Sequence, residues 1–165
     1  MSSSDRRSFL MLAALSLTGC GFTPAYAPGG PAAQLQGAVR VDDPNDKNGF
    51  DLVERIEERI GRPDAPRYTL TYTITTAPIG VGITPENAIT RFNLTGSVAW
   101  GLNEMGTGQR VTGGRVQNFT SYSATGSTVA GLAAEEDAAF RLMRIMADQI
   151  VTNLIASSSR WAVPG

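Results

Sequence analysis

The chain has 165 residues, enough for one domain plus attached segments, and its 42% hydrophobic content is ordinary for a globular fold. Fourteen basic against fifteen acidic residues leave a net charge of −1, so no overall field exists to hold nucleic acid or an anionic membrane surface. There is no histidine, the usual general base and commonest metal ligand, and a single cysteine allows neither an internal disulfide nor a cysteine-rich zinc site.

Residues 1–19 read as an export signal. Arg6 and Arg7 precede an apolar run from Phe9 to Leu17, followed by small residues, and the run is too short to span a bilayer. Leu17-Thr18-Gly19-Cys20 resembles the lipobox of bacterial lipoproteins, in which the thiol becomes a thioether to diacylglycerol, the chain is cut before the cysteine and the new amine is acylated. The resemblance implies that Cys20 is a lipid attachment point; the other reading is a buried structural cysteine. Two or three acyl chains anchor lastingly where one is marginal. "DRRSFL" also resembles the twin-arginine export motif, and a paired arginine equally suits a Sec signal, so both routes stand. Removing everything before Cys20 takes away two basic and one acidic residue, leaving 12 against 14 and a net charge of −2. Residues 20–34, rich in proline, glycine and alanine, read as a flexible tether to a domain covering 35–165.

Leu35 to Val41 is a strand candidate, and "DDPNDKNG" is a turn that supplies Asp46 or Asn48 as a helix cap. "FDLVERIEERIG" predicts a helix with Phe50, Val53, Ile56 and Ile60 on one face and Gly61 at its C-terminal end. In "YTLTYTIT" Tyr68, Leu70, Tyr72 and Ile74 alternate with threonines, predicting a half-buried strand. "APIGVGITPENAI" reads as a glycine-broken loop, after which Phe92, Leu94, Val98, Trp100 and Leu102 share one side of a strand with Gly96 leaving room. "NEMGTGQ" is a turn. In "RVTGGRVQNFTSYS" Val116 and Tyr122 share a parity that Phe119 breaks, predicting a bulge. From about Leu132 to Ile155, Phe140, Met143, Ala147, Ile150 and Leu154 recur at helical steps, with Asp137, Arg141, Arg144 and Asp148 opposite. The expected fold class is α+β, in the order β-α-β-β-β-α, with two helices packed on one face of a mostly antiparallel four-stranded sheet.

Three groups of residues invite a chemical reading. Glu135, Glu136 and Asp137 fall at the expected start of the last helix, where the helix dipole favours carboxylates. The serines of "TSYSATGST" would need a lysine or amine base without histidine, and the sole lysine, Lys47, lies in a distant turn. "IGVGIT" has no βαβ context to make it a phosphate loop. No enzyme, cofactor or metal site is expected.

Cys20-Gly21-Phe22 with Pro24 and Tyr26, then "GITPENAITRFNLTGSVAWGL", then the segment from Tyr122 through "AAEEDAAFRLMRIMADQI" together resemble the LptE family of lipopolysaccharide-assembly lipoproteins, in its alphaproteobacterial branch. The resemblance covers most of the chain after Cys20, with departures between Gly106 and Phe119. It implies a lipid-anchored protein on the periplasmic side of the Gram-negative outer membrane, held in the inner leaflet by acyl chains on Cys20. It also implies the LptD β-barrel as the partner to be plugged and helped to assemble, lipopolysaccharide as the cargo, and no nucleic acid. Were lipopolysaccharide touched, guanidinium groups suit its phosphates. Arg91, which matches the Thr-Arg of the family pattern, is the first candidate contact and Arg115 the second; Arg91 could instead form a surface ion pair with Glu86. The rival readings are an auxiliary lipoprotein of another envelope lipid-transfer system and a lipid-anchored cell-wall enzyme.

Overall fold

The computed structural model describes residues 27, 30–83, 89–124 and 127–161; Cys20 and Glu86 lie outside them. In chain order these residues form α1 (Pro31–Leu35), β1 (Val39–Val41), α2 (Lys47–Ile60), β2 (Tyr68–Ile83), β3 (Ile89–Glu104), β4 (Arg110–Ser123) and α3 (Thr128–Ser158). The strands lie in the order β1-β2-β3-β4; β1 runs parallel to β2 and the other pairings are antiparallel. The α+β class, the order of elements after the added one-turn α1, and the placement of both long helices on one sheet face are as expected.

Several boundaries differ from the expectation, each for a physical reason. The first strand is only Val39–Val41, because Leu35 instead closes the one-turn α1, where it is fully buried beside Ala32. Gly37, at φ +68°, turns the chain between the two. Asp46 is the cap of α2, its carboxylate accepting from the Gly49 amide at 2.7 Å, and Gly61 ends the helix at φ +81°. The buried stripe of α2 is Leu52, Ile56 and Ile60, while Phe50 is 57% exposed. Phe50 sits about 120° around the helix from the centre of that stripe, so its hydrophobicity misplaces the face.

The segment read as a loop, Ala77 to Ile89, is mostly strand. β2 runs on through Gly80 to Ile83 and pairs with β3 as far as Ile83 opposite Ile89, with register shifts on either side of Gly82. A Cβ on Gly82 would lie 3.0 Å from the Thr90 hydroxyl, so the glycine permits the shift. β4 carries no bulge at Phe119. Its register with β3 is unbroken from Ser123 opposite Arg91 to Thr112 opposite Leu102, and the shift lies at Asn103 instead. Phe119 keeps to strand alternation and is exposed on the far side of the sheet.

The core forms where Leu70, Val98, Trp100, Leu102 and Val116 on one sheet face meet Leu52, Ile56 and Ile60 of α2 and Leu142, Met143, Met146, Ile150 and Leu154 of α3. Gly96 is needed at mid-strand because a Cβ there would stand 2.8 Å from a Leu142 methyl and 3.0 Å from the Met146 methyl. α3 begins earlier than expected, with Ser127 as its cap accepting from the Ala130 amide. Glu135, Glu136 and Asp137 are therefore not in its first turn, and the dipole argument for them fails.

Asp148 and Arg144 do not face solvent opposite the core, as the periodicity suggests, but line the seam between the long helices. Asp148 accepts from Arg55 at 2.9 Å and Arg59 at 2.6 Å, and Arg144 meets Glu58 at 3.2 Å. Burial pushes the Asp148 carboxyl up, but hydrogen bonds from Arg55 and Arg59 outweigh this and hold it below the usual carboxylate range. A depressed folded value means that the seam contributes stability above the unfolded carboxylate range, which is lost as pH falls through the lowered value. Because these groups are partly solvated, Asp148→Asn should cost no more than about 1 kcal/mol near neutrality. Thermal melts of the pair should converge in acid; a difference that persists there would remove the ion pairs as its cause.

Candidate functional site

Among the described residues nothing covers the second face of the sheet. Register and alternation place Thr69, Thr71, Thr73 and Thr75 of β2, Asn93, Thr95 and Ser97 of β3, and Gln117 and Ser121 of β4 on that open face. On β2 and β3 their hydroxyls and amides form polar rows, which the exposed Phe119 interrupts on β4, and some brace the sheet: Thr71 donates to the Gly101 carbonyl, Thr95 to that of Ala77, and Ser121 to Asn93 Oδ1. A shallow depression of about 450 Å³ sits among Thr75, Thr95, Ser97, Gln117 and Phe119.

The charge on this face is one-sided. Arg91 and Arg115 both project from it and both are exposed, while no carboxylate occupies an open-face position on β2, β3 or β4. Among the described residues neither guanidinium has an acidic partner. The described carboxylates thus sit on the helical side, the turns and the loops. The two candidates are not one site, however. Arg115 pairs with Ala99, eight residues along β3 from Arg91, a separation of about 27 Å. Arg91 belongs to the far end of the β2–β3 hairpin, near the exposed Ile79, Val81 and Ile89.

A third arginine escaped the sequence reading. Arg110 folds back over Gly101 and Gly113, which face each other across β3 and β4, and its Nη2 donates to the Trp100 carbonyl at 2.8 Å. A Cβ on Gly113 would lie 2.7 Å from Nε of that guanidinium, so the glycine pair forms a floor on which it lies flat. Consecutive glycines at 113 and 114 were a visible signal, but only the register reveals Gly101 opposite.

The other candidates resolve into structural roles. Asp137 pairs with Arg141 and Lys47 with Asp51, the latter at 3.1 Å. Burial and the nearby Glu135 push the Tyr122 hydroxyl up. The described serines of the serine-rich stretch are engaged, Ser121 with Asn93, Ser123 with the Thr90 carbonyl and Ser127 with the start of α3. Among the described residues no acidic cluster could hold a metal ion, and no helix is long and apolar enough to cross a membrane.

The domain is a lopsided two-layer α+β fold with a hydroxyl and arginine face left uncovered among the described residues. Solved structures with the same fold are a lipoprotein from Caulobacter crescentus, 21% identical with a TM-score of 0.65 over 79% of this chain and 96% of that one, and rare lipoprotein B from Shewanella oneidensis, 12% identical with a TM-score of 0.56 over 74% and 95%. Lipoprotein B from Nitrosomonas europaea is 13% identical, with a TM-score of 0.56 over 74% and 83%. No curated protein matches the chain. Residues 37–154 match the LptE family, described as lipopolysaccharide-assembly, and the chain belongs to that family. It is a family of Gram-negative outer-membrane lipoproteins that act in lipopolysaccharide assembly rather than in catalysis.

Proposed function

We propose that the protein is a lipid-anchored outer-membrane component of lipopolysaccharide transport, acting as plug and assembly partner of the LptD β-barrel, with a lipopolysaccharide contact at Arg91. The observation that carries the reading is the open sheet face. Large barrels have polar lumens, and a domain inserted into one needs hydroxyls and amides outward while most of its apolar side chains stay between sheet and helices, Phe119 and Ile79 being among the exceptions here. The threonine rows and the carboxylate-free arginines supply that, with the lipid anchor placed at Cys20 and the acyl chains in the inner leaflet. The test is copurification of the full-length protein with a large heat-modifiable β-barrel. A periplasmic transport protein recovered instead would favour an auxiliary lipoprotein of another lipid-transfer system.

Because Arg91 and Arg115 lie far apart, they do not converge on one phosphate, and each needs its own substitution. Arg91→Glu should weaken lipopolysaccharide binding about tenfold or more through the lost charge-assisted hydrogen bonds and added repulsion, and raised salt should partly reproduce the effect. Arg115→Glu measures the second candidate in the same titration. Unchanged affinity in folded Arg91→Glu would remove Arg91 from the contact.

A further inference from the structure

Among the described residues β4 is an edge strand of the sheet. On an edge, alternate residues turn their backbone N–H and C=O groups outward. The outward set here is the odd-numbered one, since the Ser121 carbonyl accepts from Arg141 Nη2 at 3.3 Å and the Phe119 amide donates to Asn118 Oδ1 at 2.8 Å. Side chains thus occupy part of the upper edge. Lower down, the outward groups of Gly113, Arg115 and Gln117 have no hydrogen-bond partner among the described residues.

Beside this free edge runs a groove of about 570 Å³ between β4 and α3, lined among others by Arg115, Gln117, Ile145, Asp148, Gln149 and Thr152, the Asp148 carboxylate being neutralised by Arg55 and Arg59. Ile145 is exposed there, and the Gln149 Oε1 atom is buried without a hydrogen-bond partner. On the other side of the edge stand Arg110 and Arg115, with no carboxylate on the open face beside them.

We infer that the Gly113–Gln117 edge of β4 takes an extended, acid-bearing polypeptide segment as an added strand. The alternation decides the chemistry. Outward C=O groups need donors and outward N–H groups need acceptors, and a peptide backbone offers both in register, whereas an ionised phosphate only accepts. Alternate side chains of the incoming segment would face Ile145 in the groove and the two guanidiniums on the open face, which calls for apolar or small residues alternating with aspartate or glutamate. Gln149 Oε1 would accept a donor from the groove side. A second copy of β4 fits poorly, because it would bring arginines toward arginines with no acid between them.

The inference rests on the reading above, in which the barrel is the partner that supplies the segment, and hydrogen exchange on the copurified full-length complex separates the two. The amides of Arg115 and Gln117 should exchange about a hundredfold or more slower in the complex than in the protein alone. An intact complex in which they exchange as before overturns the added strand and leaves the barrel reading standing; failure to recover any barrel complex overturns both. Gln117→Pro deletes one outward donor without touching the ladder to β3, so barrel affinity should fall about tenfold or more below that of Gln117→Ala, which loses the same side chain but keeps the donor. Equal affinities for the two variants would overturn the inference, and should the proline variant not fold, the exchange measurement decides. Concentration-dependent protection of the same amides in the protein alone would show self-pairing and overturn the acidic partner.

Discussion

Replacing Ile150 with alanine should lower the stability of the fold by about 2–5 kcal/mol, because the side chain is fully buried where α3 meets the sheet and α2. Its neighbours Met146, Ala147 and Leu154 are equally enclosed, so the walls of the resulting cavity have little freedom to collapse. Denaturant unfolding of the two proteins, compared at equal slope, measures the cost. A loss under about 0.5 kcal/mol with the fold intact would contradict the packing of α3 described above, since surface substitutions stay within that range.

The second large effect concerns attachment rather than folding. With Cys20 replaced by alanine, the protein should either become soluble or stay held by its uncut signal peptide. The wild type should enter the detergent phase and incorporate labelled palmitate. Each buried methylene of an acyl chain contributes about 0.8 kcal/mol, so a variant without the chains and with its signal removed should move from nearly complete partition to nearly nil, and only an uncut signal peptide would still hold it. Palmitate label that survives the substitution would sink the lipoprotein assignment of Cys20.

How far the chain disclosed its own fold depended on whether one neighbour or several decide a position. Tyr68, Leu70, Tyr72 and Ile74 were legible as one strand face because alternation with threonine answers to a single buried side. Asp46 and Gly61 were legible because caps are local chemistry. Phe50 was not, since the stripe that α2 buries is chosen by α3 and the sheet together. Gly80 to Ile83 looked like a loop because glycine is a weak strand former, yet pairing with β3 outweighs that preference. Phe119 looked like a phase error because an aromatic residue was assumed to belong in the core; it lies on the open face instead. In the candidate site, Arg91 and Arg115 could be picked out as residues, but their separation and the role of Arg110 are properties of strand register, which no single segment contains.

The long C-terminal position of α3 has a consequence for how such a domain is made. A chain delivered across a membrane from its N-terminus presents β1 through β4 before α3 follows, and α3 supplies Leu142, Met143, Met146, Ile150, Val151 and Leu154 to the interior. Until that last segment arrives, Leu70, Val98, Trp100 and Leu102 have no lid, and a half-made sheet with an oily side and unpaired borders is prone to clumping. Should the chain cross unfolded, by the Sec route that is one of the two its signal allows, survival in transit would call for a holding factor in the compartment it enters, or for a partner that receives the sheet before the final helix closes over it.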